Sequence, residues 1–134
     1  MGRQASRTRA EWRAAPGRAW LFTYGLLREP GALQAVLGYL PPGGTTAHVE
    51  GYWRRTSPDG YYYLVPASVP ARVLGILWQV TPSDLRRLDA FEVVDPDDPG
   101  SPAGEYRRLR DVAYLPAGAV RCWLYVGGTL AASL

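Results

Sequence analysis

Glu92 is the residue of this 134-residue sequence whose position most strongly suggests chemistry. A helix is predicted from Thr81 to about Phe91 or Glu92, and a residue seven positions further along a helix returns to within about 20° of the same face. Glu92 therefore shares a stripe with Leu85 and Leu88. A carboxylate that faces the core needs a partner or a function. Desolvation raises the pKa of such a group, which suits a general base near neutral pH.

The opposite stripe of this helix, with Asp84, Arg86 and Arg87, is expected to face solvent. The assignment of Glu92 to the inner face depends on the helix reaching residue 92. If the helix frays earlier, Glu92 is a solvated loop acid. The residue types alone leave both interpretations open.

A second candidate is the turn that follows a short apolar strand at Trp20. The segment Trp20–Leu27 starts as a strand, breaks at Tyr24 and Gly25, and precedes a helix that begins near Pro30. A strand that runs into a tight turn and a helix leaves backbone N–H groups unpaired. Such groups can hold a carboxylate or an oxyanion. We interpret the turn as an anion-binding element that faces Glu92; the alternative is a buried strand with a glycine turn.

The other residues that could do chemistry have plainer explanations. Asp89 could be a catalytic partner, although a surface or capping acid is the simpler interpretation. The single histidine, His48, is placed in a Gly/Thr-rich loop, and the single cysteine, Cys122, in an apolar strand that favours core packing over a nucleophilic pair. The sequence gives less support to a cation site at Asp95, Asp97 and Asp98. It also gives less support to a base-stacking platform of Tyr61, Tyr62 and Tyr63 with Arg54 and Arg55.

The charge distribution separates an N-terminal arm from the rest of the chain. Residues 1–19 carry five Arg and one acid, a net charge of +4, whereas residues 20–134 carry ten Arg and eleven acids, a net charge of −1. A nucleic-acid-binding domain would carry its basic patch on the fold itself, so we expect no nucleic-acid partner. All fifteen basic residues are Arg, which excludes lysine-based catalysis.

Composition places the chain among globular proteins. It is 47% hydrophobic, with five Trp and nine Tyr, and its length suits one domain. No apolar run approaches the roughly 18 residues that span a membrane, and no signal-peptide core is visible, so we expect a cytoplasmic protein without a membrane partner. One cysteine allows no internal disulfide, and no metal-ligand spacing occurs.

The predicted elements are two helices and about six strands. A first helix is predicted over about Pro30–Leu40, ended by the Pro-Pro-Gly-Gly segment, and the second begins with Thr81 as N-cap and Asp84 in a capping box. Strands are predicted at residues 20–22, 49–56, 61–65, 73–80, 105–115 and 120–126, the second and third forming a hairpin. This pattern predicts an α+β fold, a mixed sheet curled into a small barrel with flanking helices. The domains are expected to be a flexible Arg-rich arm at 1–19 and one folded domain at 20–134.

Several segments, in order, resemble the γ-glutamylcyclotransferase-like family, which includes the AIG2-like group. The resemblance covers roughly residues 20–128. The segments that carry it are Tyr24-Gly-Leu-Leu27, Val49-Glu-Gly51-Tyr, Val73-Leu-Gly75-Ile-Leu-Trp78, Leu88-Asp89-Ala-Phe91-Glu92, Tyr106-Arg107-Arg108 and Trp123-Leu-Tyr125-Val126. The fold that it implies is a small mixed barrel with flanking helices.

The resemblance also implies a reaction. The α-amine of a γ-glutamyl substrate would attack its own γ-carbonyl, which gives 5-oxoproline and releases an amine or amino acid. Glu92 falls on the family's acid/base, no cofactor is needed, and the partner is a small γ-glutamyl molecule. The implied substrate-binding residues are Tyr24, Gly25, Leu26, Leu27, Tyr106 and Tyr125. Leu26 stands where the family usually has Ser or Thr, and Val93 where Gly often follows the glutamate.

A non-catalytic binding or regulatory domain on the same barrel is the alternative, and Leu26 favours it. Nucleic-acid binding through the arm ranks lowest, and deletion of residues 1–19 would abolish such binding but not catalysis. The leaving amine stays open, and so does the choice between a monomer and a homodimer. We further predict that the loop 95–104 borders the site and can act as a lid, because it joins the helix of Glu92 to the strand of Tyr106.

Overall fold

The computed structural model describes residues 13–116 and 118–128. Five strands close into a barrel: β1 (Ala19–Thr23), β2 (Gly43–Glu50), β5 (Arg72–Val80), β6 (Tyr106–Leu115) and β7 (Gly118–Gly127). A separate two-stranded hairpin consists of β3 (Tyr52–Thr56) and β4 (Tyr62–Pro66). Two helices, α1 (Pro30–Leu37) and α2 (Pro82–Phe91), flank the barrel. The predicted α+β barrel is confirmed, and its sheet is mixed as expected.

The barrel closes in the order β1, β5, β2, β6, β7, and β7 returns to β1. The β1–β7 pair is parallel, with Trp20 opposite Cys122 and Leu21 opposite Trp123, while the other pairs are antiparallel. Alternate residues of each strand point inward, so Phe22, Leu77 and other apolar side chains fill the barrel. The barrel thus fixes the end of β1, from which the turn at Tyr24 emerges.

A second apolar cluster joins the barrel to its helices. Leu33 and Leu37 of α1 and Leu88 of α2 are fully buried against outward-facing strand residues such as Leu21 and Val80. α2 begins as predicted: Thr81 Oγ1 accepts from the Asp84 N–H at 3.1 Å, and the Asp84 carboxylate accepts from the Thr81 N–H at 2.9 Å. Both helices therefore have fixed orientations on the barrel, and α2 carries Glu92 at its end.

Two local predictions were wrong at helix α1 and strand β2. α1 ends at Gly38, whose left-handed φ of 83° closes the helix, and Leu40 is 45% exposed rather than on the buried stripe. β2 starts at Gly43, so His48 lies in a strand and not in a loop. The glycines of β2 accompany a bulge between residues 43 and 45, a pattern that resembles a turn in sequence.

The predicted strand over residues 49–56 is two strands separated at Gly51. Gly51 has a φ of 87°, so the chain turns there and leaves the barrel to form the β3–β4 hairpin. The residues paired across this hairpin include Tyr52 with Pro66 and Thr56 with Tyr62. The hairpin itself is confirmed, and it forms a small sheet separate from the barrel. Arg54 of this hairpin contacts the end of β1, at the Tyr24 carbonyl.

The end of the predicted arm contacts the barrel. The Ala15 N–H donates to Gln79 Oε1 at 2.7 Å, and Arg18 Nη1 donates to the Gln79 carbonyl at 2.9 Å. Residues 1–12, which include Trp12 and carry half of the arm's net charge, lie outside the described residues. The arm stays a prediction for that part. None of the described helices is long and apolar enough to cross a membrane.

Candidate active site

Tyr24 marks the point where β1 leaves the barrel. Its side chain is buried, and its hydroxyl donates to the backbone carbonyl of Tyr125 in β7. Burial raises the pKa of Tyr24 well above its ordinary value, and the charges of Glu92 and Tyr106 raise it further. Tyr24 is therefore a neutral donor at physiological pH, and it ties the turn to the last strand.

The turn after Tyr24 is a short 3-10 turn, Leu26–Arg28. Its closing bonds run from the Arg28 N–H to the Gly25 carbonyl and from the Glu29 N–H to the Leu26 carbonyl, each at 3.0 Å. The N–H groups of Leu26 and Leu27 precede these bonds, so the turn itself does not use them. Anion binding by these N–H groups stays a prediction.

The two leucines of the turn point to different environments. Leu27 is buried in the apolar cluster with α1 and α2, and it anchors the turn to the fold. Leu26 is 56% exposed. The Leu27 side chain therefore packs in the core, whereas the Leu26 side chain lies on the surface of the turn.

Glu92 occupies the C-cap of α2, where its N–H donates to the Leu88 carbonyl at 2.8 Å. The helix does reach Glu92. Burial, and secondarily the charge of Glu105, raises the pKa of Glu92 from 4.5 to about 7. Among the described residues, nothing forms a hydrogen bond or an ion pair with its carboxylate. A half-buried carboxyl group without a partner, with a pKa near neutrality, is suited to accept and return a proton.

Three of the predicted site residues, all tyrosines, lie near Glu92. Burial is the largest cause of the raised pKa of Tyr24, of Tyr106 and of Tyr125, and the charge of Glu92 raises each of them further. Burial is the larger cause for Tyr106, and it raises the pKa of that phenol to about 12. The geometry agrees: the Tyr24 hydroxyl donates to the Tyr125 carbonyl, the Tyr125 hydroxyl donates to Asp89 in the last turn of α2, and the Glu105 N–H, next to Tyr106, donates to the Val93 carbonyl.

Tyr125 is held by a network that the sequence did not predict. The Tyr125 hydroxyl donates to Asp89 Oδ1 at 2.7 Å. Arg108 binds the same carboxylate through two atoms, Nε at 2.7 Å and a terminal nitrogen at 2.9 Å. Asp89 is thus not the surface or capping acid that was expected. It orients Tyr125 beside Glu92, and Arg108 balances its charge, an arrangement typical of a positioning residue.

The β3–β4 hairpin forms one wall of the turn. Arg54 Nη1 donates to the Tyr24 carbonyl at 3.1 Å, and its guanidinium lies 4.3 Å from the centre of the Tyr62 ring. A Cβ at Gly25 would lie 3.4 Å from that of Tyr62, and the Tyr106 hydroxyl donates to the Tyr62 carbonyl at 2.8 Å. Sequence reasoning considered Arg54 and Tyr62 only as a stacking platform. Their contacts instead place them at the candidate site.

The loop 95–104 begins and ends next to Glu92. The Glu105 N–H donates to the Val93 carbonyl at 2.9 Å, which closes the loop at its base. The loop packs on β6, where the Arg108 N–H donates to the Pro99 carbonyl at 2.7 Å and Arg107 Nε to the Gly100 carbonyl at 2.8 Å. The loop therefore flanks the candidate site, and its motion as a lid stays a prediction.

The alternative chemical groups are not brought together. His48 stacks on Tyr114 and contacts Glu50, whereas Cys122 is buried inside the barrel, where burial and then Asp111 raise the pKa of its thiol to about 12. Within the described residues, no group of acids, His and Cys is arranged to hold a metal ion. The loop acids instead accept backbone N–H groups, Asp95 from Asp97 and Asp98 from Gly100.

A depression of about 360 Å³ lies away from these residues, lined by Glu50, Gly51, Pro70, Ala71 and Arg72. It is open and shallow, and it holds none of the residues predicted to do chemistry. A carboxylate that has no partner among the described residues, with Tyr24, Tyr106 and Tyr125 near it, is a stronger indication of a site than the shape of this surface.

The raised pKa of Glu92 predicts a pH-dependent stability. The folded protein retains this proton up to about pH 7, whereas the unfolded chain releases it near 4.5. Stability therefore falls as the pH rises between these values. Below pH 4.5 both the folded and the unfolded state hold the proton, so Glu92 gives no pH dependence there. Glu92→Gln removes this loss, so the variant should gain stability relative to the parent from pH 4 to pH 8, by at most roughly 3 kcal/mol and less because the group is partly exposed.

Urea unfolding of the two proteins at pH 4, 6 and 8 measures this difference. A difference in the free energy of unfolding that stays constant over the range would show that the Glu92 carboxyl group is not desolvated. Glu105→Gln should lower only the upper end of this pH range and so reduce the loss of stability in part, since Glu105 is the smaller cause of the raised pKa of Glu92.

Comparison with known proteins supports the architecture. A family model described as "Gamma-glutamyl cyclotransferase, AIG2-like" matches residues 21–132. A protein from Arabidopsis thaliana, solved in solution, has a TM-score of 0.67 and 22% identity over 84% of this chain and 70% of its own. An AIG2-like protein from Mus musculus, solved by crystallography, has a TM-score of 0.63 and 23% identity over 84% of this chain and 78% of its own.

A third similar structure, of a Bacillus subtilis protein, has a TM-score of 0.64 and 19% identity. The match covers 82% of this chain but 40% of the Bacillus protein, which is therefore much longer than the shared domain. A search of curated proteins gave no significant match. At identities below 25%, the structural likeness concerns the fold.

Proposed function

The chain belongs to the gamma-glutamyl cyclotransferase, AIG2-like family, and from this membership and the site geometry we propose that it converts a γ-glutamyl group to 5-oxoproline. The reaction forms a bond between the α-nitrogen and the γ-carbon of the substrate and breaks the bond from that carbon to the leaving nitrogen. The observation that carries the proposal is the half-buried, unpartnered carboxyl group of Glu92, with its pKa near 7.

Glu92 carries out the proton transfer between the attacking and the leaving nitrogen. Its carboxylate accepts a proton from the α-ammonium group, which frees the amine to attack the γ-carbonyl. The resulting carboxylic acid then returns this proton to the leaving nitrogen, and the second proton that the attacking nitrogen loses on forming the lactam ends on the released amine, so the enzyme ends as it began. A pKa near 7 suits both steps at physiological pH, because neither the charged nor the neutral form is strongly disfavoured.

The turn and its neighbours hold the substrate. The N–H groups of Gly25, Leu26 and Leu27 bind the substrate carboxylate or the developing oxyanion, and the low dielectric of the site strengthens these bonds. Tyr106 and Tyr125, fixed by Tyr62 and Asp89, shape the space beside Glu92. Because the nucleophile is part of the substrate, fixing a reactive conformation supplies much of the rate enhancement. The proposal requires no cofactor, and it places the reaction in the cytoplasm.

The test is a search for 5-oxoproline after incubation with a panel of γ-glutamyl amines and γ-glutamyl amino acids. The parent protein should release 5-oxoproline from at least one compound, well above the rate of spontaneous cyclisation in buffer. Glu92→Gln is the matched control, since it retains size and hydrogen-bonding capacity. Equal product formation with parent, variant and buffer would contradict the proposal.

The second candidate is a domain that binds γ-glutamyl compounds without turnover. The exposed Leu26 favours it. Leucine has no hydroxyl group, whereas Ser or Thr at this position could donate a further hydrogen bond to the substrate. The two candidates differ in one result: the second predicts calorimetric binding without 5-oxoproline. Leu26→Ser would then be expected to produce turnover while binding is retained.

A further inference from the structure

Val93, the residue after Glu92, has a strained backbone. Its φ is 55°, the one positive φ of a non-glycine residue in the described ranges. A β-branched side chain fits this left-handed region poorly, because its Cβ substituents approach the backbone. Three hydrogen bonds hold the conformation: Val93 N–H to the Ala90 carbonyl, Val94 N–H to the Asp89 carbonyl, and Glu105 N–H to the Val93 carbonyl.

Packing against the part of the chain that the structure describes does not offset this strain. The Val93 side chain is 52% exposed and belongs to neither apolar cluster. A glycine would form the same three backbone bonds without the unfavourable conformation. Backbone strain of this kind clusters at active sites and at positions that hold ligands. The position of Val93 directly beside Glu92 gives that ligand a location.

We propose, on the basis of the function proposed above, that Val93 determines specificity by contacting an apolar leaving group of the γ-glutamyl substrate. Glu92 returns its proton to the leaving nitrogen, so the substituent on that nitrogen lies beside Glu92 and within reach of the next side chain. An apolar substituent there covers the exposed isopropyl group and removes apolar surface from water. Phe91, on the other side of Glu92 in the chain, is a second exposed apolar residue at the end of α2.

The test is a competition between γ-glutamyl-leucine and γ-glutamyl-glycine in one reaction. The relative release of leucine and glycine gives the ratio of their kcat/KM values directly. The parent should prefer the leucine compound, and Val93→Gly should reduce this preference by about 10-fold. Val93→Thr, which keeps the branched shape but replaces a methyl group with a hydroxyl, should also reduce it. A parent without preference, or a ratio unchanged in both variants, would overturn the inference.

Two further measurements separate specificity from folding. Val93→Gly should have a higher urea midpoint than the parent, because the strain is relieved, so its lost preference would not result from unfolding. Val69→Gly is the matched control: Val69 is 56% exposed between β4 and β5, and its removal should leave the ratio unchanged.

The same compounds distinguish a failure of the proposed function from a failure of the Val93 inference. If neither compound yields 5-oxoproline, the cyclotransferase proposal fails, and calorimetry then gives the ratio of the two Kd values without turnover. A preference for the leucine compound that Val93→Gly removes would still support the apolar contact. Equal Kd values, no binding of either compound, or a preference that Val93→Gly leaves unchanged would overturn it.

Discussion

Replacement of Glu92 by Gln is expected to lower kcat for 5-oxoproline formation by about 10²–10⁴-fold, the range of general acid–base catalysis. The amide keeps the shape of the side chain but can neither accept a proton from the α-ammonium group nor return one. Substrate binding should change much less, because the turn at Gly25 supplies most of the contacts. The expected result is therefore a large loss of kcat with a nearly unchanged KM.

A loss of kcat implicates Glu92 in catalysis only if Glu92→Gln folds, and the structure indicates that it does. No hydrogen bond or ion pair of the Glu92 carboxylate is lost within the described chain. The matched control is Glu105→Gln, which removes a neighbouring carboxylate that the mechanism does not use. It should retain kcat within a few-fold at its pH optimum. A Glu92→Gln protein that turns over substrate at the parent rate would remove Glu92 from the mechanism.

Gly75→Ala is expected to destabilise the protein by about 3 kcal/mol or more, a large part of the stability of one domain. A Cβ at Gly75 would lie 2.2 Å from the Thr23 carbonyl oxygen and 2.5 Å from the Phe22 ring. The nearest atom belongs to the backbone of β1, so a side-chain rotation cannot relieve the overlap. β1 would have to move, and Tyr24 and the turn would move with it.

Urea unfolding followed by circular dichroism measures this effect. Gly31→Ala is the control, because it makes the same change where the added Cβ meets nothing within 4 Å. Gly31 lies in the first turn of α1, where alanine should be neutral or stabilising by up to about 1 kcal/mol. If the two variants unfolded at the same urea concentration, β1 and β5 would not approach as closely as the structure has them.

Local sequence patterns predicted the features that depend on local physics. The capping box at Thr81 and Asp84 requires only backbone and side-chain groups of one helical turn, and it is present as predicted. The helical repeat placed Glu92 on the stripe of Leu88, and the structure places it there. The alternation of apolar residues indicated the barrel strands. In each case the determining neighbours lie within a few residues.

Burial of the two other acids of α2 depended on distant partners. Asp84 was expected to face solvent but is 3% exposed, because the Tyr39 hydroxyl from α1's end donates to it across 45 residues. Asp89 is half-buried against Arg108 and Tyr125 of the last two strands. The helical stripe predicted an exposed Asp84, and Asp89 was expected to be a surface or capping acid. With Asp84 bound to a tyrosine and Asp89 bound to an arginine and a tyrosine, Glu92 at the C-cap is the acid without a partner among the described residues.

The contribution of the β3–β4 hairpin could not be predicted either. Its pairing followed from the turn residues, but its contact with Gly25 depends on the direction in which the chain leaves the barrel at Gly51. That direction is a property of the closed barrel and not of any short segment. Arg54 and Tyr62 were therefore missed as neighbours of the site, although both residues had been singled out.

The most direct test of the account is the pH dependence of kcat/KM for 5-oxoproline release from the best γ-glutamyl substrate. The deprotonated form of Glu92 accepts the first proton, so kcat/KM should rise with pH through an inflection near 7. Measurement of Glu105→Gln in parallel distinguishes this group from the α-amine of the substrate, because only the Glu92 inflection moves to lower pH in that variant. A profile that is flat between pH 5 and 8, or an inflection that Glu105→Gln leaves in place, would contradict the role of Glu92.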